Sequence, residues 1–220
     1  VLFRSGRFKT KLPMLPSSVA MVLPDMPPME AKIVGKDFQR AVKRVTMAAS
    51  PENNSIPIFS GVQFTVSPEK KTITLVATDR YRLGIEIFPY EPLVDETEKD
   101  EILEEKTFVI SAKLLDQYAK TFGKEESFTF GIGDASSNNA GIFGVESTHK
   151  KATGRLLDGD YPNWKPILDS VKKYEDIKVK LPSQEVLQAA KRVSAMSEMT
   201  LPVVLTFDND ELSLSSQGDV

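Results

Sequence analysis

Apolar residues recur at helical spacing between positions 36 and 49. Phe38, Ala41, Val42, Val45 and Ala49 fall at i, i+3, i+4, i+7 and i+11, which predicts an amphipathic helix closed by Pro51. Alternation then takes over. Ile58, Val62, Phe64 and Val66 in PIFSGVQFTV predict one strand, TITLVAT a second and RLGIEIF a third. KTFVI reads as a fourth strand. Ser111 after it is placed to start a second helix, with Leu114, Leu115, Tyr118 and Phe122 on its apolar side and Gly123 at its end. ESFTFGIG and AGIFGVES are strands joined by the turn-rich DASSNN, and ATGRLL is a further strand.

Two stretches break the pattern. Pro13, Pro16, Pro24, Pro27 and Pro28 exclude a helix through the early segment, so residues 1–28 read as one basic strand followed by an extended linker. DGDYPNWKP is a second proline-bearing linker. Beyond it the pattern restarts. DIKVKL predicts a strand, Ser183 a helix start, Val186, Ala190 and Val193 a helical stripe, and LPVVLTF and LSLSS two strands.

The restart is an internal repeat, because AVKRVT at 41–46 matches AAKRVS at 189–194. The order strand, proline-rich linker, strand, helix, strand also occurs twice. A period this long indicates tandem domains rather than a solenoid. The expected organisation is the end of one domain at 1–28, a complete domain at 29–160 and the front of another at 161–220. Each is α+β, with helices packed on one side of antiparallel sheets.

Charge sharpens this reading. The 220 residues hold 28 Lys plus Arg against 31 Asp plus Glu, a net charge of −3, so overall charge gives no drive toward nucleic acid. The positive charge nevertheless gathers on helix faces. Lys36, Arg40, Lys43 and Arg44 share one; Lys113, Lys120 and Lys124 share the second; Gln184, Gln188, Lys191 and Arg192 share the third. Residues 91–105 carry eight acids against the single base Lys99 and read as an exposed loop. Several basic helices together can hold phosphates without reading base sequence. The plain alternative is a tandem α+β enzyme or interaction module whose basic faces are merely solvated.

Catalytic motifs are sparse. Cysteine is absent, which excludes disulfides, zinc-thiolate sites and cysteine nucleophiles, and His149 is the only histidine. The glycines of GIGDASSNNAGIFG match neither phosphate-loop pattern and sit between strands. Asp158 and Asp160 lack the spaced acidic ligands of a calcium loop. No cofactor is expected. No stretch approaches 18 apolar residues and no signal-peptide layout opens the chain, so no membrane association and a cytoplasmic location are expected.

ATDRYRLG, with PIFSGVQF before it, resembles the bacterial β sliding clamp family, the processivity subunits of replicative DNA polymerase. SGRFKTKLPMLP at the first linker and RLLDGDYPNW at the second extend the resemblance over essentially the whole chain. It implies three similar domains per polypeptide, closed by a head-to-tail homodimer into a ring around double-stranded DNA, without chemistry of its own. It also implies that Lys113 lies at a DNA-contact position. Arg40, Lys43, Arg44, Lys120, Lys191 and Arg192 join it from their helix faces. Polymerase, clamp loader and repair proteins dock short hydrophobic peptides in an apolar pocket in that family. The residues here that fall on it are Phe59, Thr78, Arg80, Tyr81, Arg82, Leu83, Pro162 and Ile167. Pro166 stands where the family often has an arginine.

Overall fold

The computed structural model describes residues 2–11, 13–14, 16, 24–52, 56–93, 105–133, 140–172, 178–197, 201–208 and 211–216. They form two compact units, Val1–Asn163 and Trp164–Val220. Most of the acidic 91–105 segment and the 134–139 turn lie outside the described residues.

The first unit opens with a hairpin, β1 (Leu2–Ser5) and β2 (Phe8–Lys11). One strand was expected here. Gly6 at φ +55° turns the chain back, a conformation glycine adopts without steric cost. Then follow β3 (Ala31–Val34), α1 (Gly35–Val45), β4 (Gly61–Ser67), β5 (Thr72–Thr78), β6 (Leu83–Pro89) and the two-residue β7 (Glu91–Pro92). The same order recurs as β8 (Lys106–Ser111), α2 (Ala112–Phe122), β9 (Ser127–Ile132), β10 (Ile142–Glu146) and β11 (Lys151–Arg155).

The two halves exchange their first strands. One antiparallel sheet runs β6-β5-β4-β8 and the other β11-β10-β9-β3-β7. β8 therefore joins the sheet of the first half, and β3 that of the second. The registers correspond: Ser111, just before α2, faces Gly61, and Val34, just before α1, faces Ser127. The result is a pseudo-twofold pair of βαβββ units that cannot be pulled apart without breaking both sheets.

The stripe predicted for the first helix is its buried face: Phe38, Ala41, Val42 and Val45 are 3% exposed or less. α-Helical bonding ends at Val45 and a 3₁₀ turn covers Thr46–Ala48, where the Thr46 hydroxyl donates to the Val42 carbonyl at 2.8 Å. α2 buries Leu115, Tyr118, Ala119 and Phe122. α1 and α2 pack on each other, so both lie on one side of the sheets. Their close approach explains Gly123. A Cβ there would sit 2.6 Å from Gln39 Cβ and 2.3 Å from the Ala119 oxygen.

Nine aromatic rings form one continuous chain through this core: Phe108, Phe64, Phe130, Phe143, Tyr118, Phe122, Phe128, Phe38 and Phe88. Neighbouring centroids are 5.1 to 6.4 Å apart. It links both sheets and both helices, and each contact adds roughly 0.5–1.5 kcal/mol beyond area burial.

The second unit holds α3 (Lys165–Lys172), α4 (Ser183–Met196), β12 (Val203–Asp208) and β13 (Glu211–Ser216), with α4 against both strands. α3 replaces the end of the predicted linker. Pro166 fits its first turn, and Ile167 and Leu168 donate their amides to the Trp164 carbonyl. Ser183 is the first helical residue rather than the cap, which is Pro182. The described part of DIKVKL, residues 178–181, is not a strand. Its alternation is right, but no neighbouring strand among the described residues takes up its backbone groups.

Candidate functional site

The outer faces of α1 and α2 form one groove of about 550 Å³, lined by Lys36, Gln39, Arg40, Lys43, Asp116, Ala119 and Lys120. The pseudo-twofold makes this possible, since each helix carries lysines seven residues apart: Lys36 and Lys43 on α1, Lys113 and Lys120 on α2. Gln39 fixes the helix pair, donating to the Ala119 carbonyl at 3.4 Å. Arg40 reaches Asp37 at 2.8 Å and Lys120 pairs with Asp116. Lys36 and Lys43 have no ion pair among the described residues. The two pairs are solvent-exposed, worth about 0–1 kcal/mol each, and therefore easily released to another anion.

Arg40, Lys43 and Lys120 are thus brought together. Arg44 and Lys113 do not line the groove; they pair with Glu86 at 3.5 Å and Glu52 at 2.9 Å. Lys191 and Arg192 are exposed on α4 in the second unit. Sequence reading missed an adjoining hollow that shares Lys120 and adds Gln117, Thr121, His149, Lys150 and Lys151. The signal was the run His149-Lys150-Lys151, which becomes meaningful only when the β10–β11 turn is set beside the end of α2. There Lys150 Nζ donates to the Thr121 carbonyl at 3.3 Å and to Glu125 at 2.6 Å.

A second constellation surrounds the turn between β5 and β6. Asp79 organises it. Its Oδ1 accepts the amides of Tyr81 and Arg82, both at 3.1 Å, and its Oδ2 accepts Arg82 Nε at 2.9 Å. Burial pushes the Asp79 carboxyl up. The two amides, the Arg82 side chain and its charge outweigh that and hold it below the ordinary aspartate value. Buried Thr78 ties the other side, donating its hydroxyl to the Arg82 carbonyl at 2.8 Å and accepting the Arg80 amide at 3.2 Å. The turn sets Arg80 at φ +82°, a left-handed conformation that costs a non-glycine residue about 1–2 kcal/mol. The Arg80 guanidinium lies over the Phe59 ring, 5.6 Å from its centroid.

Phe59, Thr78, Arg80, Arg82 and Leu83 therefore share one corner of the first unit; Leu83 pairs with Thr78 across the ladder. Tyr81 is 92% exposed. Pro162 is half-buried beside Tyr161. Ile167 is exposed on α3, in the second unit.

Tyr161 was not singled out from the sequence, yet it anchors the second linker to this corner. Its hydroxyl accepts the Thr78 amide at 3.1 Å and donates to the Gly61 carbonyl at 3.4 Å. Burial, tempered by the Thr78 amide, pushes its phenol up to about 12. A raised value means a contribution that is complete below the unfolded value of 10.0 and fades as pH climbs toward about 12. Tyr161→Phe is expected to lower stability by about 1–2 kcal/mol at neutral pH, because the Thr78 amide loses its partner. It should also flatten the fall in melting temperature above pH 10. Parallel alkaline melting curves for variant and parent would dismiss the bond.

Comparison with known proteins fits this geometry. Residues 32–163 match the family described as DNA polymerase III beta subunit, central domain. The beta sliding clamp of Streptomyces coelicolor is 29% identical over 216 residues, 98% of this chain and 53% of that protein, so the chain spans about half the length of this relative. The crystal structure of the DNA polymerase III beta chain from Streptococcus pneumoniae superposes with TM-score 0.71 at 18% identity, over 97% of this chain and 52% of the other. A Helicobacter pylori beta clamp, solved bound to a DNA ligase peptide, gives 0.71 at 17% identity over 98% of this chain and 57% of its own. These solved structures confirm the expected α+β clamp-domain fold. The match over more than half of its residues makes this chain a member of the DNA polymerase III beta subunit family, the bacterial sliding clamps.

Proposed function

We propose that the chain is part of a sliding clamp that encircles duplex DNA and tethers the replicative polymerase, as a non-catalytic accessory subunit. In this reading residues 29–160 are its middle domain. Residues 1–28 end a preceding clamp domain and 161–220 begin a third. The protein works in the cytoplasm as a head-to-tail homodimer.

The observation that carries the reading is the shared groove of α1 and α2. A protein of net charge −3 has gathered Lys36, Arg40, Lys43 and Lys120 onto one surface built from two symmetry-related helices. Lysine and arginine on helix faces hold phosphates without fixing register, which permits sliding. Arg44 and Lys113 extend this basic set on α1 and α2, and Lys191 and Arg192 give α4 a basic face of its own. The corner around Asp79 is the docking site for short hydrophobic peptides of polymerase, loader and repair proteins, with Phe59, Thr78, Leu83 and Pro162 as apolar contacts and Arg80, Tyr81 and Arg82 at the rim. A peptide of DNA ligase occupies the Helicobacter clamp of the same fold, which supports this reading.

Encirclement is topological, and so is its test. Full-length protein loaded onto nicked circular duplex should survive gel filtration with the DNA. A single double-strand cut should release it. Equal retention on circular and cut DNA would reject the ring.

A further inference from the structure

Arg80 is the one cation at the Asp79 corner with no acid of its own among the described residues. Arg82 takes both the Asp79 carboxylate contact and its charge. Arg80 instead rests on Phe59, and with the guanidinium in place Phe59 is 8% exposed. Its backbone cannot drift, because its amide is bonded to Thr78 and the two following amides are bonded to Asp79. Only the side chain is free to move. An exposed guanidinium over an aromatic face is held by a weak attraction and is drawn away by a carboxylate in bidentate geometry.

We propose that Arg80 is a specificity-determining residue of the peptide site: it covers Phe59 in the free protein and is drawn off the ring by peptides that carry a carboxylate beside a bulky apolar residue. The inference rests on the peptide-docking reading above and adds a chemical class of ligand to it. Acidic hydrophobic peptides gain an ion pair and uncover the ring in one step. Their neutral counterparts must displace the guanidinium with nothing in return.

The test uses full-length protein and two fluorescent peptides that differ only by Asp or Asn next to a Leu-Phe pair. The parent should prefer the Asp peptide by about threefold to fivefold at low salt, the range of an exposed ion pair, and lose the preference as salt is raised. Arg80→Gln should bring the two affinities together, with the Asn peptide bound at least as well as by the parent. Arg80→Lys should keep part of the preference, having charge without the planar fork. An Asp-to-Asn ratio unchanged in Arg80→Gln overturns the role of Arg80. Leu83→Asp separates the two levels. If it weakens both peptides while the Arg80→Gln ratio is unchanged, only the Arg80 inference fails. If it weakens neither, the docking site itself is wrong and the inference falls with it.

Discussion

Gly131→Val is expected to destabilise the first unit by about 3 kcal/mol, a drop of roughly 6–12 °C in melting temperature for a unit of this size. The cause is the first linker, which lies directly on the sheet. Gly131 on β9 faces Gly144 on β10, and residues 26–29 cross over this pair. A Cβ on Gly131 would fall 1.8 Å from the Pro28 carbonyl oxygen and 3.0 Å from Met29 Cα. Those are backbone atoms, and the Glu30 amide bonded to the Phe130 carbonyl at 2.8 Å stops the segment from lifting. Gly144→Val is the internal comparison. Its Cβ would meet only side chains, Pro27 Cδ at 2.7 Å and Met26 Cε at 3.0 Å, so about half the loss is expected. Differential scanning calorimetry on both variants decides. A Gly131→Val melting temperature equal to the parent's would mean that the linker does not seat on the sheet.

That contact also marks where sequence reading stops. The described residues among the five early prolines are not helical, as expected, but nothing in the proline spacing says that residues 26–29 lie across a glycine pair more than a hundred residues later. Periodicity is a local signal, and it recovered what is local: the buried stripes of α1 and α2 and the three strands after α1, the first of them only from Gly61 on, because Pro57–Ser60 forms a 3₁₀ turn that takes Ile58 out of the strand. The exchange of β3 and β8 between sheets is non-local and left no periodic trace. α3 leaves no clear mark in the sequence because Pro166 suits an extended linker and a helical first turn equally. The candidate site divides the same way. Arg40, Lys43 and Lys120 were legible as helix faces. That they share a groove, while Lys113 turns to Glu52, depends on how the helices pack. Tyr161 is one aromatic in a polar linker until the fold sets its hydroxyl against Thr78 and Gly61.

Reversing Arg40, Lys43 and Lys120 to glutamate together is expected to have the largest effect on DNA. Each phosphate contact releases counterions, so three lost contacts should lower the slope of log affinity against log salt by about 2.7. Between about 50 and 200 mM salt the parent would then lose about 40-fold more affinity than the variant from this source. Reversal goes further than neutralisation at any one salt. It repels phosphate and frees Asp37 and Asp116 from their present partners on the same helices. The fold should survive, because all three side chains are exposed and their ion pairs contribute little. The comparison is the same change in net charge at Lys70, Lys71 and Lys106, none of which lines the groove. If attraction came from overall charge, the two triple variants would behave alike. If it comes from the groove, only the first should lose its salt slope, and neither should acquire a base-sequence preference. Matching slopes for the two triples in a salt-titrated binding experiment would remove the groove from the DNA path.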